Sequence, residues 1–303
     1  MKFMKPLQFV KIAILLLVVA AFIINVGSDH QMQGASEAAP NNNSQDTAYD
    51  PSNPVLNAER ELSPYSEASI ANSQVPTEKR DSALIIFTFD DGNESDYVLA
   101  YPILKKHGIK GTSYISPYFP DHQAKRKLSW NQIKEMAAYG WDFEDHTYSH
   151  INMAKSTPEQ IRKSMEQVNK AFVANGLKAP VALAYPYGKF SQDAINVVKE
   201  YRAQARLAYY SDDFVDLSSV DRYQIPCVST DMRTEKRLKE KERLVDKACS
   251  ENGIIVFRVH CLYRNEVDDM GKEVVQTSSK LFEQLVSYCV EKGCIFTTMN
   301  KLF

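Results

Sequence analysis

From Ala83 to the carboxyl terminus, short apolar runs alternate with stretches of helical period. Few folds accommodate that alternation. The runs at 83–89, 110–115, 141–143, 181–185, 204–210, 254–260 and 294–298 read as strands. Helices are expected between them. Ser129-Trp130-Asn131-Gln132 has the form of a capping box. Thr157-Pro158-Glu159-Gln160 repeats it, with proline at the first helical position. Gly176 and Gly293 stand where helices stop. Ile133, Met136 and Ala137 form one apolar stripe, and Ile161, Met165, Val168 and Phe172 another. The charged residues between 234 and 251 read as a solvated helix face. About seven strand–helix units in about 220 residues fit an α/β fold, a distorted (β/α)7-type barrel of parallel strands.

The first run, "LIIFTFDDG" at 84–92, is apolar on both faces and ends in two carboxylates before a glycine. Adjacent like charges at the rim of an apolar strand repel and are costly to desolvate. Barrel geometry places chemistry at the carboxyl ends of strands. The polar residues there are Asp90 and Asp91, then His146 and His150 in "EDHTYSH". Tyr185-Pro186-Tyr187-Gly188, then Tyr210, Asp212 and Asp213, and finally His260 in "GIIVFRVHC" complete the set. Two imidazoles four residues apart can aim at one point, and with one carboxylate they form a catalytic zinc arrangement. The same donors suit non-haem iron. A divalent cation would neutralise one of the paired aspartates, and the other would serve as base toward a water acidified by that cation.

Net charge is −2, which gives no basic footprint for nucleic acid. Lys2, Lys5 and Lys11 precede an apolar run over 12–24, the pattern of an export signal or an uncleaved signal-anchor, assigned to residues 1–27. The run is short for a full membrane span. Residues 28–80, rich in Asn, Ser, Ala, Gln and Pro, read as a flexible tether, and 81–303 as the folded domain. The expected location is outside the cell, on the membrane face or secreted. Five cysteines without a CxxC pair read mostly as buried small hydrophobes, and spacing does not select a disulfide.

On these motifs the sequence resembles the polysaccharide deacetylases with a NodB-homology domain, over about residues 81–303. "TFDDG" (88–92) matches the first motif, whose first Asp is the base and second a metal ligand. "HTYSH" (146–150) matches the second, whose histidines complete the metal site. "YPYG" (185–188) resembles the third, where the residue after proline lends a backbone N–H to the oxyanion. "FRVH" (257–260) resembles the fifth, whose His is the general acid. The resemblance thus implies catalytic Asp90, His260 and Tyr187, metal ligands Asp91, His146 and His150, and glycan contacts at Pro186, Tyr187, Phe257 and Asp213. It implies a divalent metal, zinc first, with cobalt, nickel or manganese as alternatives. It also implies a monomer acting on an acetylated glycan polymer of the cell wall or biofilm, and release of acetate.

The sequence departs from the family at three places. Ala184 stands where the third motif carries an Arg that orients the base. That loss is shared with the branch acting on poly-N-acetylglucosamine, which favours this substrate. The fourth motif is not legible; Asp212 or Asp213 is the candidate to orient His260. Phe257 replaces a leucine beside the acetyl methyl. Tyr148, Tyr187 and Tyr114 are the expected sugar-stacking residues, and Arg258 is expected to point away from the face of His260. Alternative activities are O-acetyl ester hydrolysis on acetylated xylan and a glycan-binding homologue with impaired turnover. An iron oxygenase is disfavoured because no H-x-D/E motif is present.

Overall fold

The computed structural model describes residues 82–210, 213–215, 219–264 and 276–303. Leu84–Asp90 forms β1, buried along its whole length. It pairs in parallel with Thr112–Ile115, which is β2. The sheet continues through Asp142–Asp145 (β3), Ala182–Ala184 (β4), Gln204–Tyr210 (β5) and Ile225–Ser229 (β6) to Ile254–Val259 (β7). β7 returns to β1 over six residue pairs, from Leu84–Ile254 to Phe89–Val259, and closes a parallel seven-stranded barrel. Cys261–Tyr263 (β8) and Gln276–Ser278 (β9) form a separate parallel pair. The two-residue strand Ile295–Phe296, β10, flanks β1 at Leu84 and Ile85.

Two expectations about the strands are corrected. The seventh barrel strand is 254–259, because 225–229 is inserted before it as a strand the sequence reading missed. "IPCVS" is short, contains a proline, and follows β5 without a helix among the described residues, so it lacks the periodic context that marks the others. The run at 294–298 contributes only the β10 flank.

Outside the barrel lie Tyr101–Lys106 (α1, after a π-helical turn), Tyr118–Asp121 (α2), Trp130–Tyr139 (α3), Pro158–Ala174 (α4), Gln192–Tyr201 (α5), Glu235–Glu251 (α6) and Ser279–Glu291 (α7). Both capping boxes form, Ser129 with Gln132 and Thr157 with Gln160. Among the described residues no helix is long and apolar enough to cross a membrane. The apolar segment over 12–24 and the tether lie outside the described residues.

Period-2 alternation divides β1 between two cores. Ile85, Phe87 and Phe89 pack outward with Phe257, Val259, Phe282 and Trp141 in the layer between sheet and helices. Leu84 and Ile86 join Tyr114, Ala184, Cys227 and Val256, contributed by five different strands, so this second cluster is the barrel interior. Asp90 has the parity of Leu84 and Ile86 and lies on the interior face at the carboxyl end of β1. The fold thereby delivers a carboxylate to the rim.

Candidate metal centre and active site

Three loops at the carboxyl ends of β1, β3 and β4 build the site, and all three hold strained backbone. Asp91 has φ 73°, Thr147 62°, His150 58° and Tyr187 60°. These are four of the seven non-glycine residues with positive φ among those described. Each costs of order 1 kcal/mol, and such strain collects at functional sites. Gly92, at φ 58°, also needs its missing side chain, because a Cβ there would lie 2.9 Å from Ile115 Cγ2.

The β3–α4 loop is braced from beneath. Asp145, fully buried, accepts bonds from Arg202 Nη2 at 2.7 Å and Nε at 3.0 Å, and from the Thr147 backbone N–H at 2.6 Å. Ser116 Oγ donates to the His146 carbonyl at 3.0 Å. His146 and His150 then turn to Asp91. Each Nε2 lies 3.2 Å from Asp91 Oδ1. One ligand atom from each of the three residues lies within 4.8 Å of the others.

This donor set fits a divalent cation on its own chemistry. His146 Nδ1 is 2.7 Å from the Ala184 carbonyl oxygen, which can only accept. The proton therefore sits on Nδ1, and Nε2 presents a lone pair. Burial lowers the pKa of His150 and so favours its neutral imidazole. Asp91 Oδ1 is buried with no hydrogen-bond partner among the described residues. Burial alone would raise the Asp91 carboxyl, but the adjoining imidazoles of His146, His150 and His260 outweigh it and hold it well below its ordinary range, so the group is a carboxylate. Imidazole nitrogens and a carboxylate oxygen converging on one point are donors that suit a divalent cation.

On the other oxygen, Asp91 Oδ2 lies 3.2 Å from His260 Nε2 and 3.7 Å from Lys127 Nζ. Asn93 was not singled out in the sequence, yet it couples the rims of β1 and β7. Its side-chain amide donates to the carbonyls of Asp90 at 3.1 Å and His260 at 2.6 Å. Lys127, also missed, donates to Asn93 Oδ1 at 2.9 Å and to the Asp91 carbonyl at 3.2 Å.

Asp90 is held from inside the barrel. Its Oδ1 accepts a bond from Arg206 Nη2, and Arg258 Nη1 lies 4.0 Å from its Oδ2. Arg206 sits on β5 directly opposite Ala184 of β4. A guanidinium thus reaches Asp90 from the strand beside the one where the sequence lacks it. The signal was present: an arginine inside "QARLAYY", on the face that alternation turns inward. Arg258 corrects a second expectation. Its guanidinium reaches toward Asp90 while His260 meets the adjacent Asp91, so it does not point away from the rim that holds His260.

Pro186 is buried and begins the third-motif turn, which projects Tyr187, 62% exposed, over His150 with ring centroids 4.5 Å apart. Two expected glycan contacts are not brought to the site. Phe257 is fully buried and stacks on Phe87 at 5.5 Å in the outer layer, because its parity is opposite to that of Arg258 and His260. Asp213 is exposed and bound by Lys247 of α6 at 2.9 Å, on a stretch that bridges through Val215 to Ile254, the first residue of β7. It therefore does not orient His260, whose Nδ1 has no hydrogen-bond partner among the described residues. Asp212 lies outside the described residues. Tyr114 is also no sugar platform: its fully buried ring lies under the Arg206 guanidinium, 4.8 Å from the centroid. Tyr148 donates to Asp121 Oδ2 at 3.0 Å beside Tyr118, near the rim.

The polysaccharide deacetylase family model matches residues 77–205, which include Asp90, Asp91, His146, His150 and the Tyr185–Gly188 turn. Over these residues the chain is similar to the polysaccharide deacetylases. It is 32% identical over 136 residues to YxkH of Bacillus subtilis, a protein assigned to the polysaccharide deacetylases, covering 44% of this chain and 47% of that one. It is 34% identical over 124 residues to the poly-β-1,6-N-acetyl-D-glucosamine N-deacetylase of Staphylococcus aureus, covering 37% and 43%. The matched stretch thus spans about half the length of these relatives. Among solved structures, the fold resembles the CE4 domain of a multidomain xylanase from the hindgut metagenome of Trinervitermes trinervoides. That likeness has TM-score 0.51, 17% identity and coverage of 73% of this chain and 90% of that one. It equally resembles a CE4 family pseudoenzyme from Bacillus anthracis, with TM-score 0.51, 14% identity and coverage of 73% and 65%.

Proposed function

We propose that this chain removes N-acetyl groups from a polysaccharide containing N-acetylglucosamine, in a reaction that depends on a divalent cation and releases acetate. The observation that carries the reading is the convergence of Asp91, His146 and His150 beside a second carboxylate and a third imidazole. Those three residues would hold the cation, with zinc the first candidate for two imidazoles and one carboxylate. When bound, it supplies Lewis acidity, polarising the acetamide carbonyl and acidifying water.

The other residues have distinct tasks. Asp90, fixed by Arg206, takes the proton of the attacking water. The Tyr187 backbone N–H, aimed by its left-handed turn, donates to the oxyanion, a contribution of about 3 kcal/mol when such a donor is removed. His260 gives a proton to the departing amine. The products are acetate and a glycan amine, cationic at neutral pH. An amide is favoured over an ester because the S. aureus relative is named as an N-deacetylase. Residues 1–27 as a signal or anchor and 28–80 as a tether would place residues 81–303 outside the cell, where such polymers lie.

The test is acetate release from N-acetylglucosamine oligomers and from acetylated xylan, with and without chelator. The expected result is release from the first, loss on chelation and recovery with zinc or another divalent ion. Asp90→Asn should lower turnover at least 100-fold while sparing zinc binding. Chelator-resistant release, or full turnover in Asp90→Asn, overturns the mechanism. Release from xylan alone overturns the substrate assignment.

A further inference from the structure

At the opposite end of the barrel, three of the five cysteines converge. None of the five is joined in a disulfide. Cys249 lies near the end of α6, Cys289 near the end of α7, and Cys294 just before β10. Cys249 Sγ and Cys294 Sγ are 3.6 Å apart across 45 residues of sequence. A disulfide needs about 2.05 Å, so the two sulfurs would have to close by about 1.5 Å.

We propose that Cys249 and Cys294 are a redox-active pair, and that oxidation joins them in a disulfide across the seam that closes the barrel. The topology gives the bond its purpose. α6 leads through Gly253 into β7, and Cys294 leads into β10 beside β1. Ala83 and Leu84 run between them, with the Leu84 N–H donating to the Gly253 carbonyl at 3.0 Å and the Ile295 N–H donating to the Ala83 carbonyl at 2.9 Å. A covalent link from Cys249 to Cys294 therefore clasps both chains that hold the start of β1.

The chemistry favours this pair over Cys289–Cys294. Hydrogen bonding from Cys289, aided by Cys249, lowers the Cys294 thiol to about 7, so a thiolate is present at neutral pH. Cys289 is fully buried, and its bond to Cys294 pushes its own thiol well up. Cys249 is partly exposed, and Cys294 is buried but, unlike Cys289, retains 8% exposure. With a small-molecule disulfide as oxidant, the Cys294 thiolate attacks one sulfur and expels the other half as thiolate. The Cys249 thiol then loses its proton, attacks Cys294 Sγ and expels the second half. Two protein thiols become one disulfide, and the oxidant leaves as two thiols. Leu84 and Asp90 are six strand steps apart, about 20 Å at 3.3 Å per residue, so the bond is remote from the metal centre.

The experiment treats the full chain with oxidised glutathione. The denatured thiol count should fall from five to three. Peptide mapping should join Cys249 to Cys294, and the melting temperature should rise by about 5–10 °C. Acetate release should be unchanged. Cys249→Ser should fold, lose no pair of thiols and show no rise, whereas Cys289→Ser should still form the link. An unchanged thiol count, stable glutathione adducts, a Cys289–Cys294 bond, or an oxidised chain that melts with the reduced one overturns the proposal. Each of these outcomes is independent of whether the chain deacetylates glycans.

Discussion

Replacing Arg206 by methionine tests whether the barrel interior is organised around a charge pair. The Arg206 side chain is 0% and the Asp90 side chain 5% exposed, so neither charge is relieved by water. Removing one partner of a buried pair typically costs about 3–5 kcal/mol, because the other is left uncompensated. Here the loss is partly offset. Arg258 Nη1 remains 4.0 Å from Asp90 Oδ2. A unit pair at that distance is worth about 4 kcal/mol at an effective dielectric of 20. Arg206 also donates to the Leu207 carbonyl at 2.8 Å, which methionine cannot replace. The expected destabilisation is therefore about 3 kcal/mol, a fall in melting temperature of about 6–12 °C for a domain this size. The assay is urea unfolding of wild type, Arg206→Met, Asp90→Ala and the double variant. The double-mutant cycle should return a coupling of about 2 kcal/mol or more between the two residues. Additivity within about 0.5 kcal/mol would refute the reasoning, since the carboxylate would then not depend on this guanidinium. Acetate release in Arg206→Met should fall through kcat rather than KM, because the residue orients Asp90 and touches no substrate.

Three further outcomes are expected of the same structure. Burial raises the Asp142 carboxyl from 3.8 to about 6, against the bonds it accepts from Thr112 and Asn300. Its folded-state pKa is above the unfolded one, so its contribution is fully favourable below about pH 4 and is lost as pH rises through about 6. Asp142→Asn should accordingly stabilise the protein at pH 8 by about 1–3 kcal/mol and have little effect at pH 4, as read by urea unfolding; equal effects at both pH values would contradict this. Phe257→Leu should cost about 1 kcal/mol of stability through its stack on Phe87 and leave KM for the glycan unchanged, whereas a KM shift would return Phe257 to the substrate site. Asp213→Ala should stay within about 0.5 kcal/mol of wild type with full acetate release, since its side chain is exposed and engages Lys247 and the neighbouring Phe214 N–H at the surface.

By itself the sequence determined what local chemistry can encode. The strand ending in Asp90-Asp91, the two capping boxes, the His146–His150 spacing and the Tyr185–Gly188 turn are short-range patterns, and each stands where its pattern placed it. The barrel also followed, because alternation of strand and helix constrains topology. What sequence did not yield was lateral. That Arg206 faces Ala184 on the neighbouring strand and reaches Asp90, that Asn93 couples the ends of β1 and β7, and that Cys249 meets Cys294 depend on register between segments far apart in the chain. Side-chain facing added a second limit: parity turned Phe257 into the outer layer and Arg258 toward Asp90, and a chain segment bridging to the start of β7 carried Asp213 to a lysine on α6. Strand pairing and inside–outside assignment are properties of the closed sheet, and no window of sequence contains them.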